Sequence, residues 1–145
     1  MMDRFSNIPL VVKNLLILNV LFFLTSLVVS STGTDLDEKL GLHYFLSPAF
    51  RPHQLVSYLF MHGSFMHLFF NMFALWMFGK TLEDIWGSKR FLTYYMVTGI
   101  GAGLIQMAVT YLRLNSLYSQ LSPAEITNII DTGYEVLQQG KNFGG

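Results

Sequence analysis

Three long apolar runs restrict what this chain can fold into. They are Leu10–Ser30, about 55–78 (or from Ser64 if the loop before it is longer), and 91–112. A helix needs about 20 mostly apolar residues to cross the hydrocarbon core of a bilayer. Composition speaks against a soluble domain: 52% of the 145 residues are hydrophobic and only 12% are charged, where a soluble domain carries about 25% charged residues. Mean hydropathy is +0.42. The chain reads as an all-α membrane protein with three transmembrane helices. Its formal net charge is zero and it has no basic cluster, so no nucleic-acid partner is expected. It has no Cys, which removes disulfides, thiolate catalysis and Cys metal sites. No HExxH motif occurs, and neither a metal nor a cofactor is expected.

The middle run carries a polar thread. From Phe65 to Phe78 the only strongly polar side chains are His67 and Asn71. Four residues apart on a helix, they differ by about 40° and project from one face. An imidazole and an amide in an apolar helix are costly unless partnered, so the pair is a candidate functional site on a face turned into a bundle. The plainer alternative is packing glue between helices. His62 lies five residues before His67, about 140° round a helix, and is placed at the mouth of the helix instead. Ser64 is the expected N-cap.

Around these runs the chain divides in two. Residues 1–113 form the membrane region. Pro9 suits a helix start, and Lys13 can snorkel to headgroups. No small-x-small cleavage site comes after the apolar stretch 15–29, so the first run is read as a retained span rather than a signal peptide. Residues 31–54 are expected as short interfacial pieces, with His43 and His53 at the surface rather than in catalysis. Gly99-x-x-x-Gly103 is a small-xxx-small pattern that lets another helix approach closely. Arg4, Lys13, Lys80, Lys89 and Arg90 crowd the N-terminus and the 79–90 turn, which puts both in the cytoplasm. The expected location is the bacterial inner (plasma) membrane. Residues 114–145 are expected outside the bilayer. Ser122-Pro123-Ala124-Glu125 is a capping box, opening an amphipathic helix over about 122–139 with Ile126, Ile129, Ile130, Tyr134 and Leu137 on one face. Gly140 should end it, before a flexible KNFGG tail.

The stretch HGSFMHLFFNMFALWMFGKTLE, succeeded by GSKRFLTYYMVTGIGAG, resembles the second and third membrane helices of the rhomboid family of intramembrane serine proteases. The family pattern is a His, then H-x-x-x-N, a Gly and a Glu near the inner end, and an R-F-L region with a Tyr close after it. The matching positions are His62, His67, Asn71, Gly79, Glu83, Arg90, Phe91, Leu92 and Tyr94, and the resemblance covers about residues 8–113. It implies a rhomboid-like helical bundle, incomplete here relative to the six-helix family core. It implies that His67 and Asn71 are oxyanion-side donors, that His62 supports them, and that Gly79, Glu83 and the 79–90 turn are structural. Residues 31–60 would match the family's partly submerged first loop.

In the family, the nucleophile lies in a G-x-S-G on a fourth helix and the base is a His on a sixth. No G-x-S-G occurs in these 145 residues. Ser64 lies three residues before His67, but one helix cannot present a nucleophile, its base and a facing oxyanion site together. The chain therefore reads as the N-terminal part of a rhomboid-type serine endopeptidase acting on transmembrane-helix proteins within the bilayer. Alone it is expected to be inactive, with a C-terminal half as the partner still needed. The alternatives are a non-catalytic rhomboid-like protein that binds transmembrane helices, and an unrelated three-span scaffold.

Overall fold

The computed structural model describes residues 7–138. Every regular element among them is helical. Helix α1 is Leu10–Ser30, α2 is Leu36–Leu40, and α3 is Gln54–Ser57, continued by a 3-10 turn at Tyr58–Phe60. Helix α4 is Phe65–Ala74; a π segment at Leu75–Gly79 carries it directly into α5, Lys80–Trp86. Helix α6 is Ser88–Gln120 and α7 is Pro123–Gln138. Two of these, α1 and α6, are long and apolar enough to cross a membrane by themselves. This is a helical membrane protein. Its compact units are residues up to Gln106 and residues from Met107 on.

Of the two starts expected for the second run, near 55 or at Ser64, the structure takes the later one. Its helical ladder begins at Phe65, after a break at 61–64 where Met61 is extended (φ −91°, ψ 131°). Ser64 is also extended, and its Oγ accepts the His67 backbone N–H at 3.2 Å. That bond satisfies one of the free amides at a helix start, so the Ser64 cap fixes where α4 begins. The third run is longer than 91–112, because Gly87 lets α6 start at Ser88. Gly87 has φ +83°, a left-handed conformation that a side chain disfavours, and its N–H closes α5 on the Glu83 carbonyl at 2.8 Å.

The core of the first unit gathers Val12, Leu15 and Phe91, with Phe60, Leu75, Leu82 and Tyr95 packed around them. Gly79 lies where these helices meet. A Cβ there would come within 3.1 Å of Val12 and 3.2 Å of Phe91. The Gly99/Gly103 face of α6 takes the 3-10 turn rather than another long helix. A Cβ on Gly99 would collide with the Leu59 side chain, and one on Gly103 would fall 3.1 Å from the Tyr58 ring. The Tyr58 hydroxyl donates to the Gly99 carbonyl. Gly101 has nothing within 4 Å of a built Cβ. Gly99→Val should therefore destabilise the protein by about 1–3 kcal/mol through overpacking, while Gly101→Ala should be neutral or stabilising by up to about 1 kcal/mol. Thermal melts in detergent check this, and equal effects at both glycines would contradict it.

In the second unit the capping box forms. The Ser122 N–H and hydroxyl both donate to the Glu125 carboxylate at 2.8 Å, and Ser122 Oγ accepts the Glu125 N–H at 3.3 Å. Ile129 and Ile130 are exposed on α7. The side chains of Tyr134 and Leu137, Gly140 and the KNFGG tail lie outside what is described.

Candidate functional site

The polar residues of the second run gather at the start of α4. His62 sits in the break before the helix and is 7% exposed. His67 is one turn into α4. The two rings meet edge to face, with centroids 5.1 Å apart and planes at 66°. The extended backbone at 61–64 turns the chain and brings His62 beside His67, which a continuous helix would not do. His62 Nδ1 is buried and has no hydrogen-bond partner among the described residues.

His67 and Asn71 share one face of α4, and both are exposed. The face turned to the rest of the unit is a different one. It carries the buried Leu68 and Gly79 with the half-buried Met72 and Leu75, roughly 100° round the helix from His67. The small and aliphatic side chains take the packed side because Gly79 admits Val12 and Phe91. Among the described residues, no hydrogen bond engages the His67 imidazole or the Asn71 amide. The pair presents side-chain N–H donors on one open face. It could stabilise a developing negative oxygen, the chemistry such donors suit best. No group of three or more His, Cys, Asp or Glu that could hold a metal occurs among the described residues.

Glu83 is at the opposite end, on α5. It is 3% exposed. Its two carboxylate oxygens accept the Val11 N–H at 2.9 Å and the Val12 N–H at 2.8 Å, and the Ser88 hydroxyl donates to it at 2.5 Å. Pro9, at the N-cap of α1, offers no side-chain cap, so the carboxylate of a distant helix serves instead. Negative charge at a helix N-terminus is also favoured by the helix dipole. Burial raises the Glu83 pKa, but the Ser88 hydroxyl and the two amides bind the charged form and bring it below the usual carboxylate value.

Sequence reasoning passed over two buried polar residues. Gln54 is buried at the head of α3. Its Oε1 accepts from the Arg51 N–H at 3.1 Å and the His43 N–H at 3.4 Å, and its Nε2 donates to the Ala49 and Lys39 carbonyls at 3.0 and 3.2 Å. It ties residues 39–54 into one ordered loop. His53 lies at this loop's exposed surface, with Nε2 3.4 Å from the Lys39 carbonyl, and His43 Nδ1 is 3.1 Å from the Gly41 carbonyl. Asn19, inside α1, is also buried. Its amide donates to the Leu15 carbonyl at 2.7 Å, and its Oδ1 has no partner among the described residues. The reasoning applied to His67, a polar side chain within an apolar run, would have singled it out.

Apolar helices, a polar pair near one end of a run and a carboxylate clasp at the other define a helical membrane protein with a candidate oxyanion-type donor face. The sequence model of the Rhomboid domain matches residues 49–117, a stretch that includes His62, His67, Asn71 and Glu83. The chain is similar to the rhomboid family over that stretch, a little under half of its length. It is similar to RHOMBOID-like protein 5 of Arabidopsis thaliana, with 36% identity over 52 residues, 36% of this chain and 17% of that protein. Rhomboid-like protein 11, chloroplastic, of the same plant is 37% identical over 57 residues, 39% of this chain and 20% of that protein. Rhomboid protein 1, mitochondrial, of Saccharomyces cerevisiae is 40% identical over 48 residues, 33% of this chain and 14% of that protein. The matched stretches span a fifth or less of these relatives' lengths. No solved structure matches the chain.

Proposed function

We propose that the chain is the N-terminal, oxyanion-side part of a rhomboid-type intramembrane serine endopeptidase that hydrolyses peptide bonds of transmembrane proteins. One observation carries the reading. His67 and Asn71 stand on a single open face of α4, exposed, with no side-chain hydrogen bond among the described residues. When a serine attacks a substrate carbonyl, the carbonyl oxygen gains negative charge. The imidazole N–H of His67 and the amide NH2 of Asn71 then donate to it and bind the tetrahedral intermediate more tightly than the flat carbonyl. His62, edge-on to His67, restricts the ring's orientation. The serine and its base come from outside these residues. Ser64 Oγ is occupied as the cap of α4. The test is cleavage of a transmembrane substrate in detergent: the complete enzyme cleaves, the 145 residues alone do not, and loss of the His67 and Asn71 donors slows the complete enzyme. Cleavage by the 145 residues, surviving removal of contaminating proteases, would overturn the division of labour.

In this reading α1, α4 with its π extension, and α6 each cross the bilayer, and the N-terminus and the 79–90 turn are cytoplasmic. The density of Lys and Arg in those short segments supports the orientation. The Glu83 clasp then lies at the inner surface and the His62–His67 contact toward the outer one, where water is available for hydrolysis. Helix α7 lies outside the bilayer, since Glu125, Asp131 and Glu135 would be costly in hydrocarbon. The charge rule concerns the side of the membrane and not which membrane it is. Reporter fusions after Gly33, Gly87 and Ser122 should read outside, inside and outside in turn. A fusion at Gly87 that reads outside would sink the orientation.

A further inference from the structure

The loop ordered by Gln54 encloses an open cavity of about 500 Å3, within the range of about 300–1,000 Å3 typical of small-molecule sites. Its lining brings three formal charges together: Glu38 and Lys39 from α2, and Arg51 from the segment before α3. We infer that this cavity takes the headgroup of a zwitterionic aminophospholipid, with its phosphate on Arg51 and Lys39 and its primary ammonium on Glu38.

Position comes first. Helix α1 has 21 residues, about 31 Å at 1.5 Å per residue, which matches the thickness of the hydrocarbon core. The loop continues directly from its end and so lies at the level of lipid headgroups. Phe45 and Leu46 on the same loop are 43% and 68% exposed, as suits side chains that meet acyl chains beside a polar pocket.

Charge comes second. Glu38 and Lys39 are neighbours on α2 and diverge by about 100°, so they do not pair with each other. Among the described residues neither they nor Arg51 makes an ion pair. Arg51 is held in place on one side, where its Nη1 donates to the Phe50 carbonyl at 2.8 Å and the Pro48 carbonyl at 3.1 Å. Its Nε and Nη2 donors remain for the planar fork that recognises a phosphate. Gln54 fixes the floor beneath by holding the Lys39 and Ala49 carbonyls.

The mixture of signs selects the ligand. A purely anionic head would meet Glu38 in the pocket and Asp35 and Asp37 beside it. Residues 31–60 carry three acidic and two basic side chains. A choline head has no N–H to donate to the Glu38 carboxylate. A primary ammonium has three donors, spaced from its phosphate by a short linker that can bridge the two signs. This inference rests on the loop's membrane position and not on any proteolytic activity.

The test uses the purified chain in detergent with an equimolar mixture of phosphatidylethanolamine, phosphatidylglycerol and phosphatidylcholine of identical acyl chains, read by native mass spectrometry. Phosphatidylethanolamine should be retained about threefold over each of the others, the selectivity that one exposed ion pair can give. Glu38→Gln should bring the ethanolamine-to-glycerol ratio to about one, and Lys39→Gln should lower retention of all three lipids. Both side chains are exposed, so both variants should fold, and their melts in lipid-free detergent verify it. Retention of phosphatidylglycerol or phosphatidylcholine at or above that of phosphatidylethanolamine would overturn the proposal, as would an unchanged ratio in Glu38→Gln. Added inorganic phosphate should leave the ratio intact. Displacement of the lipid by phosphate would assign the cavity to a soluble anion and overturn it equally.

Discussion

On the proposed function, His67→Ala and Asn71→Ala in the proposed full-length protease should each lower kcat by about 100- to 1,000-fold, the range for losing one oxyanion donor. KM should change little, because these donors act on charge that develops only in the transition state. The variants should fold normally. Both side chains are exposed, and neither is hydrogen-bonded among the described residues, so truncation leaves no buried group unpaired. If both donors serve one oxygen, the double variant should lose less than the product of the single losses, since residues acting as a unit are not additive. Asn71→Leu separates catalysis from packing: it should abolish the donor yet keep the melting temperature. A fall in melting temperature that tracks the fall in activity would instead mark Asn71 as a contact between helices. Full activity in both alanine variants would end the assignment.

How much of the structure the sequence reveals depends on the range of the interactions involved. Helices α1 and α6 were legible because hydropathy over about 20 residues is a local property. The Ser64 cap and the Ser122–Glu125 box were legible because caps act over three residues. The His67–Asn71 face was legible from a spacing of four. The Ser64 cap also marks the beginning of α4, although residues 55–60 are as apolar as α4 itself and leave an earlier start open until the backbone break at 61–64 divides them. Gln54 was hidden in a loop rich in prolines, where a glutamine reads as solvent-facing. Its four partners reach from Lys39 to Arg51, and no short window contains them. The π segment at Leu75–Gly79 carried no signal in LWMFG beyond a glycine. Its consequence is packing, since it delivers Gly79 to Val12 and Phe91. The resemblance marks Glu83 as structural, but the residues alone show one polar side chain in a charged turn and no partner for it. Its partners, Val11 and Val12, are 72 and 71 residues away, and they are backbone amides, which no pattern of side chains reports.

Glu83→Ala should cost about 3 kcal/mol or more of stability. Removing the carboxylate leaves the Val11 and Val12 amides and the Ser88 hydroxyl without their acceptor, and an unsatisfied buried donor costs about 1–3 kcal/mol. These amides open α1, whose N-cap Pro9 offers no substitute. Glu83→Gln should cost less than alanine but remain destabilising, because one amide would then face an NH2 donor rather than an oxygen. The same group gives the fold an acid dependence. Its pKa is lowered by the Ser88 and amide hydrogen bonds against the opposing effect of burial. The stabilisation is therefore fully present above the unfolded carboxyl value of 4.5 and is lost as pH falls through the lower folded value, where the unfolded chain binds the extra proton first. Melting curves in detergent from pH 7 down to about pH 3 should show the wild type losing stability below about 4.5, with Glu83→Ala less stable at pH 7 and flatter across the acid range. Limited proteolysis near Pro9 should quicken in the alanine variant as the start of α1 frays. If Glu83→Ala melts with the wild type at pH 7 and keeps the same acid slope, the start of α1 is held by the Val12, Leu15 and Phe91 packing and not by the carboxylate.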